Sequence, residues 1–380
     1  MHISTTKSQL ASQLSLVIGA ADPRASVPML ATILMKTTED KRLSLLCSDN
    51  GVVARAMAPC ASVTEGGEFA VDARRFNELV RAIPDDAAID LSLEAEKKDG
   101  QGKNLLLKAG RSRFRLPVFG AEDYPKMVPE KTERLSITLA GKRLAELIEQ
   151  TAPAIGVNDV RPYLNGALFQ VDSTGLTVVS TDGFRLIIAH ESVQNMPKVD
   201  KRVIVPRKSL LLAKKLLSLA GDGPVKLTVG SADVQFSFTD GNVIFTKCIT
   251  GTFPDYKKVM PSPTASVELA TTATKSILAM VSASIMDSAD KTNKFRIDLD
   301  LSDKLMVIRQ GDNSRSEVDC TLVDGKATTV SVNINYLRDA LDSCGAAKTI
   351  RIGCGSERSP MLVRPTEADY PINIVMPMTA

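Results

Sequence analysis

The chain writes the same ending three times, and that repetition limits its fold more than any other feature. Residues 111–129 read RSRFRLPVFGAEDYPKMVP, residues 242–261 read NVIFTKCITGTFPDYKKVMP, and residues 359–377 read SPMLVRPTEADYPINIVMP. Each is a β-rich run, then an acidic or Gly turn, then an aromatic residue and Pro together, then a hydrophobe-Pro exit. Pro125, Pro254 and Pro371 recur at a spacing of about 120–130 residues, the size of a domain.

The repetition reaches further back in each copy. FAVDARRFNELVRAI (69–83), VIVPRKSLLLAKKLL (203–217) and VSVNINYLRDALDSC (330–344) share a design of short strand, cap or Pro, then amphipathic helix. Asp72 and Asn333 suit the helix N-cap, and Pro206 suits a first helical turn, where its missing N–H has no intrahelical partner. Earlier in each copy SQLASQLSLVIGAA (8–21), GKRLAELIEQTAPAI (141–155) and TKSILAMVSASIMD (274–287) read as another helix. Two helices per copy are too few to cover a parallel sheet, and strand–turn–strand spacing favours antiparallel pairing. The expectation is an α+β chain of three similar domains, 1–129, 130–261 and 262–380, joined by the linkers 128–133 and 260–265.

Composition narrows the function. With 44% hydrophobic and 24% charged residues the chain has ordinary globular proportions. It has no apolar run of about 18 residues for a membrane span. MHISTTKSQL lacks the apolar core of a secretory leader, so a cytoplasmic protein is expected. The six cysteines form no C-x-x-C, which fits reduced thiols rather than a zinc or redox site. The only histidines are His2, terminal, and His190, after an apolar strand, which speaks against Ser-His or Cys-His chemistry. Phosphate-binding glycine motifs are absent, so no cofactor and no metal are expected.

The net charge of +3 matters less than its placement. Arg207, Lys208, Lys214 and Lys215 share one helix without an acid, and at roughly 100° per residue they fall within an arc of about 120°. Leu210, Leu216 and Leu217 lie elsewhere on it. Arg74, Arg75 and Arg81 make a similar arc in the first copy, whereas Arg338 sits beside Asp339 and Asp342 in the third. Paired basic stripes at equivalent positions point to nucleic acid.

DVRPYLNGALF (159–169), STDGFRL (180–186), VIVPRK (203–208), GTFPDYKKVMP (251–261), GRSRF (110–114) and VMPM (375–378) together resemble the signatures of the bacterial DNA polymerase III β subunits, the replicative sliding clamps. The resemblance covers the whole chain. It implies a non-enzymatic, head-to-tail homodimer of three-domain protomers. Their domains close into a ring around duplex DNA, which tethers the polymerase and confers processivity. Phosphate contacts suit sliding because they are independent of sequence. By resemblance Arg24, Arg74, Arg75, Arg81, Arg207 and Lys208 face DNA; helical phase adds Lys214 and Lys215.

The same resemblance implies a pocket between domains two and three. It takes short linear motifs of the polymerase α subunit, the clamp loader and repair proteins. Matching positions are Leu164, Thr181, Gly183, Arg185, Leu186, Pro254, Val259, Met376, Pro377 and Met378, with Asn333 and Tyr336 at the rim. Gly183 allows close approach to the backbone, and the methionines adapt to several partners. Phe184 stands where many members carry His, and Lys258 where Arg is common. The chain ends Thr379–Ala380 rather than with a basic and a bulky residue. At the dimer seam Phe114 and Leu116, flanked by Arg111 and Arg113, are expected to meet Ile285 and Met286, with edge strands pairing across the seam. Two other readings stay open: an enzyme acting on nucleic acid or nucleotides through Arg111, Arg113 and Asp123, and a clamp-shaped scaffold devoted to peptide capture.

Overall fold

The computed structural model describes all residues except 95–102, 126–133, 195, 286–293, 312–313, 357 and 379–380. The expected linker 128–133, the seam residue Met286 and the terminal Thr379–Ala380 therefore lie outside the described residues.

The first repeat comprises β1 (His2–Thr6), α1 (Lys7–Val17), β2 (Thr32–Thr37), β3 (Arg42–Ser48), β4 (Val52–Pro59), β5 (Ser62–Glu65), β6 (Glu68–Asp72), α2 (Ala73–Ala82), β7 (Ala88–Leu93), β8 (Asn104–Ala109) and β9 (Ser112–Phe119). The second comprises β10 (Leu135–Ala140), α3 (Gly141–Thr151), β11 (Gly166–Asp172), β12 (Gly175–Thr181), β13 (Arg185–Ser192), β14 (Lys201–Pro206), α4 (Arg207–Ala220), β15 (Pro224–Val229), β16 (Asp233–Phe238) and β17 (Val243–Lys247). The third comprises β18 (Ala265–Ala270), α5 (Thr271–Ser284), β19 (Arg296–Leu301), β20 (Leu305–Gln310), β21 (Ser314–Asp324), β22 (Thr328–Asn333), α6 (Ile334–Ser343), β23 (Thr349–Cys354), β24 (Met361–Pro365) and β25 (Ile372–Val375). The fold is α+β, and its strands pair antiparallel.

This order exposes a finer repetition. Apart from β5, each repeat is two halves of strand, helix and three strands. The halves interlock, because the leading strand of one pairs with the first post-helix strand of the other. Thus β1 pairs β7 and β6 pairs β2; β10 pairs β15 and β14 pairs β11; β18 pairs β23 and β22 pairs β19.

Neighbouring repeats are joined through their fourth strands. β17 pairs β4, with Val243 opposite Arg55, and β13 pairs β25, with Arg185 opposite Val375. Two sheets of 13 and 12 strands result. The chain accordingly divides into two compact units, Met1–Ala145 with Lys208–Cys248, and Glu146–Arg207 with Ile249–Ala380. The second repeat gives half its strands to each.

The helices form where apolar residues recur at helical spacing, and on α2 and α6 a polar side chain closes the first turn. Asp72 accepts a hydrogen bond from the Arg75 N–H at 2.7 Å, and Asn333 accepts one from the Asn335 N–H at 2.9 Å. Each such cap contributes about 1 kcal/mol. Pro206 differs from expectation: it ends β14, and the helix starts at Arg207. The buried faces are Leu10 and Leu14 on α1, Phe76 and Val80 on α2, Leu210, Leu216 and Leu217 on α4, and Leu337 and Leu341 on α6. Burying each such side chain stabilises the fold by roughly 1.5–3 kcal/mol. Replacing Phe76 with alanine would cost about 3–5 kcal/mol and loosen the α2 contact.

Candidate functional site

Within the second unit, residues from β12, β13, β25 and the segments around them line a half-open apolar cavity of about 190 Å3. Leu164, Thr181, Gly183, Arg185, Leu186, Pro254, Val259 and Met376 line it. Arg161, Tyr163, Asp255, Tyr256 and Ile374, which were not among the expected pocket positions, line it too. The floor continues a buried cluster of Leu168, Val179, Leu186, Ile188 and Ile374, against which Phe253 and Tyr256 pack.

The turn STDGFR is braced from within. The Thr181 hydroxyl donates to the Arg185 carbonyl at 2.7 Å and accepts the Gly183 N–H at 3.1 Å. Asp182 accepts the N–H groups of Phe184 and Arg185 at 3.0 and 3.1 Å. Gly183 has φ +92°, a backbone conformation that selects glycine, and the Arg161 guanidinium lies 3.3 Å from where a Cβ would stand. Arg161 is held by two bonds to Asp159, each 2.9 Å, and those bonds bring the Asp159 carboxyl down to about 2.

Arg185 ties the second repeat to the third. Its Nε donates to Asp182 at 3.0 Å, its Nη1 to Asp339 on α6 and its Nη2 to the Pro153 carbonyl. The guanidinium lies 4.5 Å from the centre of the Tyr336 ring, a cation–π contact. The C-terminal segment is fastened at two points: the Met376 N–H donates to the Phe184 carbonyl at 2.9 Å, and the Met378 N–H to the Ser331 carbonyl at 2.8 Å. Of the other expected residues, Phe184, Lys258, Asn333, Tyr336, Pro377 and Met378 stand outside the cavity wall. Phe184 is 62% exposed, Lys258 pairs with Asp255 at 3.6 Å, and Asn333 is the cap of α6.

Among the expected nucleic-acid contacts, Arg24, Arg74, Arg75, Arg81, Lys208 and Lys215 are exposed, while Arg207 and Lys214 are half-buried. Arg74 pairs with Glu78 at 2.9 Å and Lys208 with Asp49 at 2.5 Å. Burial pushes the Asp49 carboxyl up, but Lys208 and the N–H groups of Val52 and Gly51 outweigh it and hold Asp49 below the usual range. A phosphate approaching Lys208 competes with that carboxylate.

At the expected seam, Arg111, Arg113 and Phe114 are exposed and Leu116 is buried. Ile285 closes α5 and packs half-buried against the third repeat's core. Residues 112–117 of β9 pair with β8 on one side. On the other side β9 meets only β6, through Phe119 and Val118. Residues 314–319 of β21 pair with β20, and β18 begins alongside only at Cys320. Both fourth strands thus keep an open stretch among the described residues.

No group of three His, Cys, Asp or Glu among the described residues could hold a metal ion, and no described helix is long and apolar enough to cross a membrane.

Residues 1–128 match the model of the DNA polymerase III beta subunit N-terminal domain, and residues 138–255 that of its central domain. The beta sliding clamps of Vibrio cholerae and Pseudomonas aeruginosa are 31% and 32% identical to this chain, with all of each chain covered. A crystal structure of the P. aeruginosa DnaN sliding clamp bound to griselimycin matches it over the full length of both chains, with a TM-score of 0.88 at 29% identity. The Caulobacter crescentus beta sliding clamp, solved with polyethylene glycol bound, gives 0.86 at 28% and covers 99% of that chain. The chain belongs to the beta sliding clamp family, the beta subunits of bacterial DNA polymerase III.

Proposed function

We propose that the chain acts as a head-to-tail homodimeric ring that encircles duplex DNA and tethers a polymerase and other partners without chemistry of its own. The three domains of each protomer span 1–129, 130–261 and 262–380. The observation that carries the dimer is the rule of fourth strands. The last strand of the second repeat pairs with the fourth strand of the first, and the last strand of the third pairs with the fourth strand of the second. Continuing the rule, β9 of one copy pairs with β21 of another. The open stretches suit each other: β9 brings Arg113 and Phe114 beside Arg115, which Glu94 holds at 2.9 Å, and β21 brings Val318 and Asp319 beside Glu317, which Arg315 holds at 2.8 Å. A heterologous contact of this kind closes into a ring when its rotation permits.

The basic residues Arg24, Arg74, Arg75, Arg81, Arg207, Lys208, Lys214 and Lys215 face the duplex and contact phosphates without reading bases. The apolar cavity takes short linear motifs of the polymerase α subunit, clamp loader and repair proteins. Closure rather than affinity retains the DNA. Protein loaded onto nicked circular DNA should therefore stay bound through a high-salt wash and leave once the circle is cut. Equal loss from circular and linear DNA would reject the encircling mechanism.

A further inference from the structure

The apolar cavity does not end at Tyr256. That ring also walls a second cavity, of about 490 Å3, inside the same unit. The two follow each other along the same strands. On β13, Leu186 lines the first, and Ile188 and His190 line the second; on the β25 side, Met376 and Ile374 line the first, and Ile372 and Tyr370 the second. Residues two apart share one face of a strand, so both cavities lie on one face of the sheet. Their floor is continuous, since Ile188 and Ile374 belong to one cluster against which Ile372 packs.

The second cavity joins an apolar wall of Ile188, Ile372 and Met260 to a polar one that includes Asp172, Thr174 and Lys257, a lining that suits an aromatic ring. His190 and Tyr370 pack with ring centroids 5.2 Å apart and planes tilted by 39°. Thr177 and Ser192 hydrogen-bond the two His190 nitrogens at 3.0 and 3.3 Å and fix its plane. Tyr370 and Met260 leave 38% and 37% of their surface open at its mouth. From Leu186 to His190 is four residues, about 13 Å at ~3.3 Å per residue. An extended peptide covers that distance in the same number of residues, with its first and fifth side chains on one face.

We propose that a partner peptide seated in the first cavity continues along β13 and places a large apolar side chain, preferentially aromatic, in the second, about four residues from its first anchor. This rests on the peptide-pocket reading above and adds a second anchor to it. A residue two positions from the first anchor meets the Tyr256 ridge, which sets the minimum spacing.

Random dodecapeptides displayed on phage and selected on the full-length protein test this. The expected winners carry an apolar cluster and an aromatic about four positions away, and synthetic copies bind Tyr370→Ala and Met260→Ala proteins about tenfold more weakly than the unaltered protein. Copies truncated before the aromatic bind all three alike. Winners without a second apolar position, or copies that ignore both substitutions, overturn the second anchor while leaving the first. Winners that bind a Met376→Glu protein at full strength overturn the first pocket and this inference together.

Discussion

Replacing Arg185 with methionine tests whether one side chain holds the two halves of the pocket together. The stem is preserved and the guanidinium removed. The Arg185 side chain is 12% exposed, and it bonds two carboxylates and a carbonyl while lying over the Tyr336 ring. Removing one partner of a fully buried charge cluster costs about 3–5 kcal/mol. Here Asp182 keeps its bonds from the N–H groups of residues 184 and 185, and Asp339, 38% exposed, regains water. The low end, about 3 kcal/mol, therefore applies. Because a chain of several repeats need not unfold in one step, the measurement is local: hydrogen exchange of 185–188 and 372–375, where β13 and β25 pair. Protection there should fall roughly a hundredfold, since each 1.4 kcal/mol is a factor of ten. Residues 43–46 of β3 in the other unit should exchange as before. A double-mutant cycle with Asp339→Asn should return a coupling of about 1–2 kcal/mol. Unchanged protection along both strands would refute the argument that Arg185 fastens them.

The other expectations are briefer. Phe114→Ala should raise the dimer dissociation constant about tenfold through lost apolar burial of about 1–2 kcal/mol, read by sedimentation equilibrium; an unshifted dimer places the seam elsewhere. Lys214→Ala with Lys215→Ala should lower the salt slope of duplex binding by about two units if each neutralises a phosphate, and an unchanged slope removes both from the DNA face. Deleting residues 376–380 removes Met376 from the cavity wall and the two N–H bonds of Met376 and Met378; peptide affinity should fall while dimerisation holds, and undiminished affinity refutes the assignment. Burial holds the His190 imidazole below its ordinary 6.5, so between the folded and unfolded values the unfolded chain binds more protons. Stability is then complete above about pH 6.5 and falls as the pH drops toward the folded value. Thermal denaturation of His190→Gln should lose that part of the acid sensitivity, and identical pH profiles would reject it.

What the sequence reveals and what it hides divide along physical lines. Local signals are legible: Asp72 and Asn333 do cap their helices, because a cap is a contact within three residues. The leucine face of α4 is legible for the same reason. Gly183 reads as a site of close approach, but what the fold demands of it is a left-handed backbone, with φ +92°. Contacts made at a distance are not legible. Lys208 reads as a free cation, but Asp49, 159 residues away, holds it. Arg161 and Tyr256 sit inside recognisable motifs, yet nothing local says that they wall a cavity. The one available signal was the Asp159–Arg161 pair, two residues apart and able to fix a guanidinium over the STDGF turn.

Strand partners are the harder case, and there the burial patterns carry more than the motifs. β13 is buried along Leu186–Ala189 and reads as central, whereas β9 is exposed at all but Leu116 and half-buried Val118. Alternation fixes which face a strand buries but not which strand lies beside it. Charge supplies the missing term. An edge bearing Arg111 and Arg113, with Arg115 neutralised by Glu94, repels a second copy of itself, as edge charges do when they guard against aggregation. The same arginines favour an edge bearing Asp319 and Glu317, the latter exchanging its Arg315 partner for one across the seam. A β9–β9 contact would be isologous and would leave β21 open. A β9–β21 contact is heterologous, satisfies both open strands in one geometry, and repeats the pairing rule already used twice within the chain. Exchanging the charges tests that preference directly. Arg113→Glu alone should weaken the dimer, and Arg113→Glu with Glu317→Arg in the same chain should restore it. Failure of the double exchange to recover any affinity would show that shape or the residues beyond these strands, and not edge charge, selects the partner.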